Sequence, residues 1–350
     1  MTPTRFFAAA NTESGFVSLF DEIFSPKKLS RIYILKGGPG TGKSTLMKHI
    51  GFAAEAGGEQ VEYAYCSSDT DSLDGIILKE RRIAILDGTA PHTTDPLYPG
   101  AVERIVNLGD AFDAAGLEKE SEILRLLAEK KHRCYRCAYR YLGAAGALMR
   151  QIDETAGEAF LYVKARSAAE RLTLGFSGAE KGEIIRRYLS AIGTKGVVTL
   201  DTFMKKAKRR IAITNKFGLG YTFMNIVYAS LAHMGIAMTV CSAPPVSSHI
   251  ECLYITGEDV LIHVTTEDTE ADKTVNILRF VDKDTLAKCR PTLRRLEKGV
   301  EMLMEGALTS LREVGAFHAS AEAVYGKYVD FSKVDIMRNR LMNEIFANNM

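Results

Sequence analysis

Short runs of branched apolar residues alternate along this chain with longer segments whose apolar positions recur every three or four residues. Ile32 to Leu35 is the first clear run, and with glycine downstream it predicts a buried parallel strand. Beyond a glycine-rich stretch, Leu46, Met47, Ile50 and Ala54 fall at helical spacing, and Gly57-Gly58 marks the end of that helix. Val61 to Tyr65 and Arg82 to Asp87 predict two more strands. Val102 to Arg171 reads as helical, with clusters such as Ile123-Leu124-Leu126-Leu127, and Thr285 to Phe346 repeats that pattern. Ile226 to Val240 is apolar but contains Ser230 and His233, which predicts a buried helix followed by a strand.

The same order of elements occurs twice. Arg31 to Ser44 aligns with Arg209 to Thr222, so that Gly40 and Gly42 fall on Gly218 and Gly220, Lys43 on Tyr221, and Ser44 on Thr222. Val61 to Ser67 resembles Ala237 to Ser242, and Ile83 to Asp87 resembles Val260 to Val264. A match across three strands predicts an internal duplication. Each copy would be an α/β core followed by a helical hairpin, with copies at 1–172 and 173–350 and the boundary between Thr173 and Lys181, around Gly175, Gly178 and Gly182.

The stretch between the first strand and its helix carries chemistry. Gly37-Gly38-Pro39-Gly40-Thr41-Gly42-Lys43-Ser44 fits G-x-x-x-x-G-K-[ST], the phosphate-binding loop of P-loop NTPases, and Thr45 follows it. Glycines let successive backbone N–H groups point at one anion, and the helix N-terminus favours a phosphate. Lys43 would reach the β- and γ-phosphates, and the Ser44 hydroxyl would ligate Mg²⁺. Arg82 to Asp87 is an apolar strand ending in a carboxylate, the pattern of a strand whose Asp holds Mg²⁺ through water, so Asp87 is the second metal candidate. The fold class expected is therefore α/β: a tandem duplication of a P-loop NTPase-like parallel-sheet core, each copy followed by a helical hairpin.

The residue after Asp87 is Gly88, where many ATP-hydrolysing machines carry a glutamate, so the general base is unassigned. The loop from Cys66 to Asp74 offers Asp69 and Asp71, and the loop Gly88 to His92 offers His92, as groups to orient water or take a proton. Helix capping and polar turns compete with that role for the two carboxylates, and capping or packing is the preferred reading of His92. In the second copy Tyr221 cannot supply the cation, Asn215 replaces the first glycine, and Val264 stands where Asp87 would be. That copy is expected to share the fold without holding Mg-nucleotide.

Composition narrows the classes. At 46% hydrophobic and 25% charged, the 350 residues match a globular average. A net charge of +2 makes no electrostatic case for nucleic acid, and Lys205 to Arg210 reads as a solvated surface. No apolar run reaches the ~18 residues of a membrane span and no leader pattern is seen, so a cytoplasmic location is expected. The six cysteines read as reduced thiols. His132, Cys134 and Cys137 sit in a helical pattern with no second ligand pair, which argues against a structural metal.

Several elements together resemble an uncharacterised bacterial family of P-loop ATPases, chains of similar length built from two tandem repeats, within the P-loop-containing nucleoside triphosphate hydrolase superfamily. They are Phe7 to Phe16, Ile34 to Met47, Cys66 to Asp69 with Asp71 to Gly75, and Ile85 to His92. The resemblance spans the chain, is strongest in the first half, and implies ATP binding with hydrolysis but no particular substrate. Members of that family often keep a usable second loop; this chain departs at Asn215 and Tyr221.

The leading expectation is an Mg-dependent ATPase whose γ-phosphate holds the Asp69–Asp74 and Gly88–His92 loops and whose helical hairpins act on an unknown protein or small-molecule partner. A kinase passing the γ-phosphate to a small acceptor, and a nucleotide-dependent scaffold with negligible turnover, are the alternatives. Leu174 to Glu180 lies too far after Asp87 to be a transporter signature loop, and Ala179 replaces a needed glycine. Asn215-Lys216-Phe217-Gly218 lacks the Asp that reads guanine, which favours ATP over GTP. Arg81, Arg82, Arg104 and Arg140 are arginine-finger candidates better read as surface or ion-pair residues.

Overall fold

The computed structural model describes residues 3–91, 93–176, 182–267 and 269–347; His92 and 177–181, on which parts of the reading above fall, lie outside them. The first copy comprises β1 (Thr4–Phe7), β2 (Ala9–Thr12), β3 (Gly15–Ser18), α1 (Phe20–Ile23), β4 (Arg31–Lys36), α2 (Lys43–Ala56), β5 (Val61–Tyr65), β6 (Leu73–Leu78), β7 (Ile83–Asp87), β8 (Glu103–Asn107), α3 (Ala114–Lys119), α4 (Ser121–Gly157) and α5 (Tyr162–Thr173). The second comprises β9 (Ile184–Arg187), β10 (Ser190–Gly193), β11 (Gly196–Thr199), α6 (Thr202–Lys206), β12 (Arg209–Thr214), α7 (Leu219–His233), β13 (Met238–Ser242), β14 (Ile250–Ile255), β15 (Val260–Thr265), β16 (Lys273–Val275), α8 (Lys283–Tyr325) and α9 (Phe331–Phe346).

The sheets confirm the duplicated α/β plan. Among the described residues, one six-stranded sheet runs β1-β5-β6-β7-β4-β8 and the other runs β9-β13-β14-β15-β12-β16, the same order of equivalent strands. The sheets are mixed, which corrects the expectation of a purely parallel core. β6 pairs antiparallel with β5 and β7, and β14 does so with β13 and β15, while the remaining pairs are parallel. Loop length explains it: 66–72 is too short for a parallel crossover, so the chain must turn back on itself. The apolar run of β6 is broken by Asp74-Gly75, yet all six of its residues are buried. β8 also lies where the pattern read as helix. It is an edge strand paired with β4, and its Glu103 carboxylate accepts from the N–H groups of Leu97 and Tyr98 at 2.6 and 2.7 Å.

The long helices α4, 37 residues, and α8, 43 residues, span roughly 55 and 65 Å. They pair antiparallel. The Lys130 ammonium lies over the Phe317 ring at 5.6 Å, Cys134 donates to Glu313 at 3.3 Å, and Cys289 faces Glu158. Gly299 and Gly306 on α8 leave room for Leu148 and Tyr141 on α4. No helix among the described residues is long and apolar enough to cross a membrane.

This pairing exchanges the terminal helices. α9 packs on the first sheet, where Val334, Leu341 and Ile345 join Tyr33, Leu35, Leu46, Met47 and Ile50 in one core. α5 packs on the second sheet, where Ala165, Ala169 and Leu172 join Ile211, Ile213, Phe223 and Val227. The joints are reciprocal: Phe112 bridges to Val329, and Phe160 bridges to Val281. The elements of the first copy end with α5 at Thr173 and those of the second begin with β9 at Ile184, while each packed core is completed by the last helix of the other copy. Arg81 and Arg104 belong to this fastening. Arg81 donates to Glu59 at 2.8 Å and to the Ile345 carbonyl at 3.0 Å, and Arg104 donates to Glu344 at 2.6 Å.

Leu341 is distant in sequence from the first sheet yet 4% exposed within its core. Leu341→Ala should lower stability by about 2–5 kcal/mol in urea unfolding. A loss below about 1 kcal/mol, the level of a surface change, would contradict the exchange.

Candidate phosphate-binding site

β4 ends at Lys36 and α2 begins at Lys43, with Gly42 as its N-cap. Gly40 and Gly42 have φ of 72° and 83°, left-handed values that a residue with a Cβ rarely adopts. The loop folds inward. Thr41 Oγ1 donates to the Gly38 carbonyl at 2.9 Å, and Lys43 Nζ donates to the carbonyls of Gly37 and Gly38 at 2.8 and 2.9 Å. Among the described residues, the N–H groups of Gly40, Thr41, Gly42 and Lys43 meet no backbone or side-chain acceptor. Four amides converging at a helix start are the donor set that an anion satisfies.

Asp87 is carried to this loop by strand register. β7 lies parallel to β4 with Leu35 opposite Asp87, and one Asp87 oxygen comes 3.5 Å from Lys43 Nζ. The other accepts from the Thr89 N–H at 2.9 Å and the Thr89 hydroxyl at 2.6 Å. Ser44 Oγ accepts from the Leu73 N–H at 3.0 Å, which ties the start of α2 to the start of β6. Ser44 and Asp87 thus lie on the same side of the loop as Lys43, while Thr45 is exposed one residue further on. A hydroxyl and a carboxylate are hard oxygen donors, and no group of three His, Cys, Asp or Glu fit to hold a metal occurs among the described residues. The donor chemistry fits Mg²⁺, which keeps waters and phosphate oxygens and takes few protein ligands.

Asp69 and Asp71 both have side-chain partners. Asp69 accepts from the Ser72 hydroxyl at 2.6 Å, as a turn cap, and Asp71 pairs with Lys195 of the second copy. The loop that holds them is gripped from the second copy as well: Thr194 donates its N–H to the Ser68 carbonyl at 2.9 Å. Gly88 is a packing requirement, because a Cβ there would collide with the Ile34 side chain. A side chain following Asp87 would require Ile34 to move. Arg82 donates to the Lys28 carbonyl at 3.0 and 2.7 Å, at the N-terminal end of β7 and so away from the loop. Arg140 is exposed on α4. Cys134 is buried against Glu313, and Cys137 is exposed.

The equivalent loop of the second copy is closed from within. Asn215 Oδ1 accepts from the Gly220 N–H at 2.9 Å, the Leu219 N–H donates to the Lys216 carbonyl at 3.2 Å, and the Tyr221 N–H donates to the Gly218 carbonyl at 3.0 Å. Tyr221 stacks on His249 at 4.3 Å, and His249 Nε2 lies 2.6 Å from an Asp153 oxygen. The other Asp153 oxygen sits against Gly218, where a Cβ would collide with it. Burial, aided by the charges of Glu251 and Asp153, pushes the Tyr221 phenol up to about 12. β15 opposes Ile213 with Val264, at the register that sets Asp87 opposite Leu35.

The end of α8 packs against the loop of the first copy. A Cβ at Gly38 would meet the Phe112 and Tyr325 rings at 3.2 Å, and one at Gly40 would meet the Glu322 carbonyl oxygen at 3.3 Å. Sequence reading missed Asp153, His249, Glu322 and Tyr325, since each reaches its loop from another element. The position of Asn215 was read as a lost glycine, but its bond to Gly220 was not.

No protein-family model matches the chain, and no curated protein or solved structure matches it either.

Gly88→Ala should destabilise the fold by about 1–3 kcal/mol, the cost of overpacking, as read from denaturant unfolding. An unchanged midpoint would show that the Ile34 contact yields freely.

Proposed function

We propose that this chain is an Mg-dependent ATP-binding protein of the P-loop NTPase class. It hydrolyses ATP at the first copy and uses its nucleotide state to act on an unknown partner. The observation that carries the reading is the set of partnerless amides from Gly40 to Lys43, with the Lys43 ammonium held between loop carbonyls and Asp87. A polyphosphate satisfies those amides and gives Lys43 a stronger acceptor than neutral carbonyls. Ser44 and Asp87 would hold Mg²⁺, which when bound neutralises charge developing on the phosphates. The second copy serves as scaffold.

Gly88 favours a second reading, a kinase, because it stands where many ATPases carry the glutamate that activates water, and Ile34 packs against that position. In that case an acceptor hydroxyl replaces water and the same loop positions the γ-phosphate.

Phosphate release from Mg-ATP should be abolished by Lys43→Ala. Asp87→Asn should weaken binding in the presence of Mg²⁺ more than in its absence. Release unaffected by Lys43→Ala would overturn the site. Nucleotide binding without release would favour phosphoryl transfer to an acceptor. Equal loss with and without metal would remove Asp87 from the metal site.

A further inference from the structure

Besides the helix exchange, the copies hold each other through their hairpins. The tip of the β10–β11 hairpin, in the second copy, reaches the loop 66–72 of the first. The Thr194 N–H and the Thr194 hydroxyl both donate to the Ser68 carbonyl at 2.9 Å. Lys195 pairs with Asp71 beside it. A Cβ at Gly193 would stand 2.5 Å from the Ser67 carbonyl oxygen and 2.8 Å from that of Ser68, so the close approach requires glycine. The tip is itself seated. Thr194 rests against Gly315 of α8, and the Asn11 amide donates to the Ile192 carbonyl at 2.7 Å. At the start of the hairpin the Glu251 carboxylate accepts from the N–H groups of Leu189 and Ser190 at 3.2 and 3.0 Å. The gripped loop has two further anchors in the first copy: Tyr135 donates its hydroxyl to Ser68 Oγ at 3.0 Å, and Lys48 donates to the Asp71 carbonyl at 2.6 Å.

This loop runs directly into the candidate site. The Cys66 N–H donates to the Ser72 carbonyl at 2.9 Å and closes it, and the next residue, Leu73, donates its N–H to Ser44 Oγ at 3.0 Å. A hydroxyl oxygen has two lone pairs and one proton. Leu73 engages one lone pair, which leaves the other for a metal and the O–H for a phosphate oxygen. The closed copy repeats the arrangement with the roles exchanged. The Glu13 N–H, at the tip of the β2–β3 hairpin, donates to the Pro245 carbonyl at 2.9 Å, in the loop 243–249 that corresponds to 66–72. The Glu13 side chain lies against Gly146 of α4 and pairs with Arg150. That loop delivers His249 onto Tyr221, the counterpart of Lys43. In each copy, then, the loop between the same two strands is held by the other copy's hairpin and touches the first turn of the helix that follows the glycine loop.

We infer that Thr194, at the tip of the second copy's hairpin, is a positioning residue for Mg²⁺ at the first copy: by holding the loop 66–72 it fixes the Leu73 N–H that orients the Ser44 hydroxyl. The inference rests on the nucleotide reading above and gives the second copy a share in the site beyond that of a scaffold. Thr194 acts through Ser68, the loop and Leu73, as the outer partners of a metal ligand do. The amides from Gly40 to Lys43 belong to the glycine loop itself and do not use this contact. Loss of the grip therefore weakens the hold on the metal and spares the hold on phosphate.

The test titrates the full chain calorimetrically with a non-hydrolysable ATP analogue, once with Mg²⁺ and once with a chelator in its place. Thr194→Ala should weaken binding with Mg²⁺ about threefold to tenfold, the scale of one neutral hydrogen bond, and leave metal-free binding unchanged. Thr194→Ser, which keeps the hydroxyl, should restore the wild-type value. Gly193→Ala, which forces the tip off the loop, should cost about tenfold or more with Mg²⁺, as expected when a metal ligand loses its orienting partner. Circular dichroism identifies any variant that fails to fold; should Gly193→Ala do so, Thr194→Ala against Thr194→Ser decides. Equal losses with and without metal, as a merely structural role would give, or no loss in either, would overturn the inference and leave the loop assignment standing. A wild type that binds the analogue equally well with and without Mg²⁺ would overturn it too. Failure of the wild type to bind the analogue at all would overturn the nucleotide reading, and this inference with it.

Discussion

The antiparallel contact between α4 and α8 sets the terms for the rest of the molecule. Two helices of this length cannot hide their apolar stripes against the sheet edges from which they emerge, so they hide them against each other. Once paired antiparallel, each carries the chain to the far core and delivers α5 or α9 there. Neither core is then complete within its own half of the sequence. The ends of α4 and α8 come to rest on the two glycine loops, which places Asp153 on one and Glu322 on the other.

That geometry gives the loss of chemistry in the second copy a physical form. Where the first copy has Gly37, Asn215 supplies an amide oxygen that accepts from the Gly220 N–H. Replacing Lys43 by Tyr221 removed a cation and supplied a ring that stacks on His249, which in turn holds Asp153. The His249 Nε2–Asp153 contact is the polar link of this network, while His249 Nδ1 is buried without a partner among the described residues. The first loop retains donors without protein acceptors among the described residues, available to water or a ligand. One loop is closed by its own side chains, while the amides of the other have no acceptor within the described residues.

Much of this was legible in the order of residues. The strand, loop and helix around Lys43 and the strand ending at Asp87 follow from periodicity and glycine placement, because those elements are local. The duplication is equally legible, since every sheet strand of one copy has its equivalent in the other. β6 escaped notice because Asp74-Gly75 interrupts its apolar run, and β8 because an edge strand with alternating exposure looks like part of an amphipathic helix. The direction of β6 depends on loop length, not on composition. The packing against the loop was illegible for a different reason: Glu322 and Tyr325 meet it only through the helix exchange, and no local pattern records a contact across so much chain. For Asp69 and Asp71 the sequence left a catalytic role and a capping role side by side, and their partners Ser72 and Lys195 are set by the turn and by the second copy.

The claim on which the account stands is that one loop is open to nucleotide and the other is sealed. Calorimetric titration of the wild-type chain with Mg²⁺ and a non-hydrolysable ATP analogue measures this directly as a stoichiometry. The account predicts one site per chain, absent from Lys43→Ala. Two sites per chain, or one that survives the loss of Lys43, would contradict it.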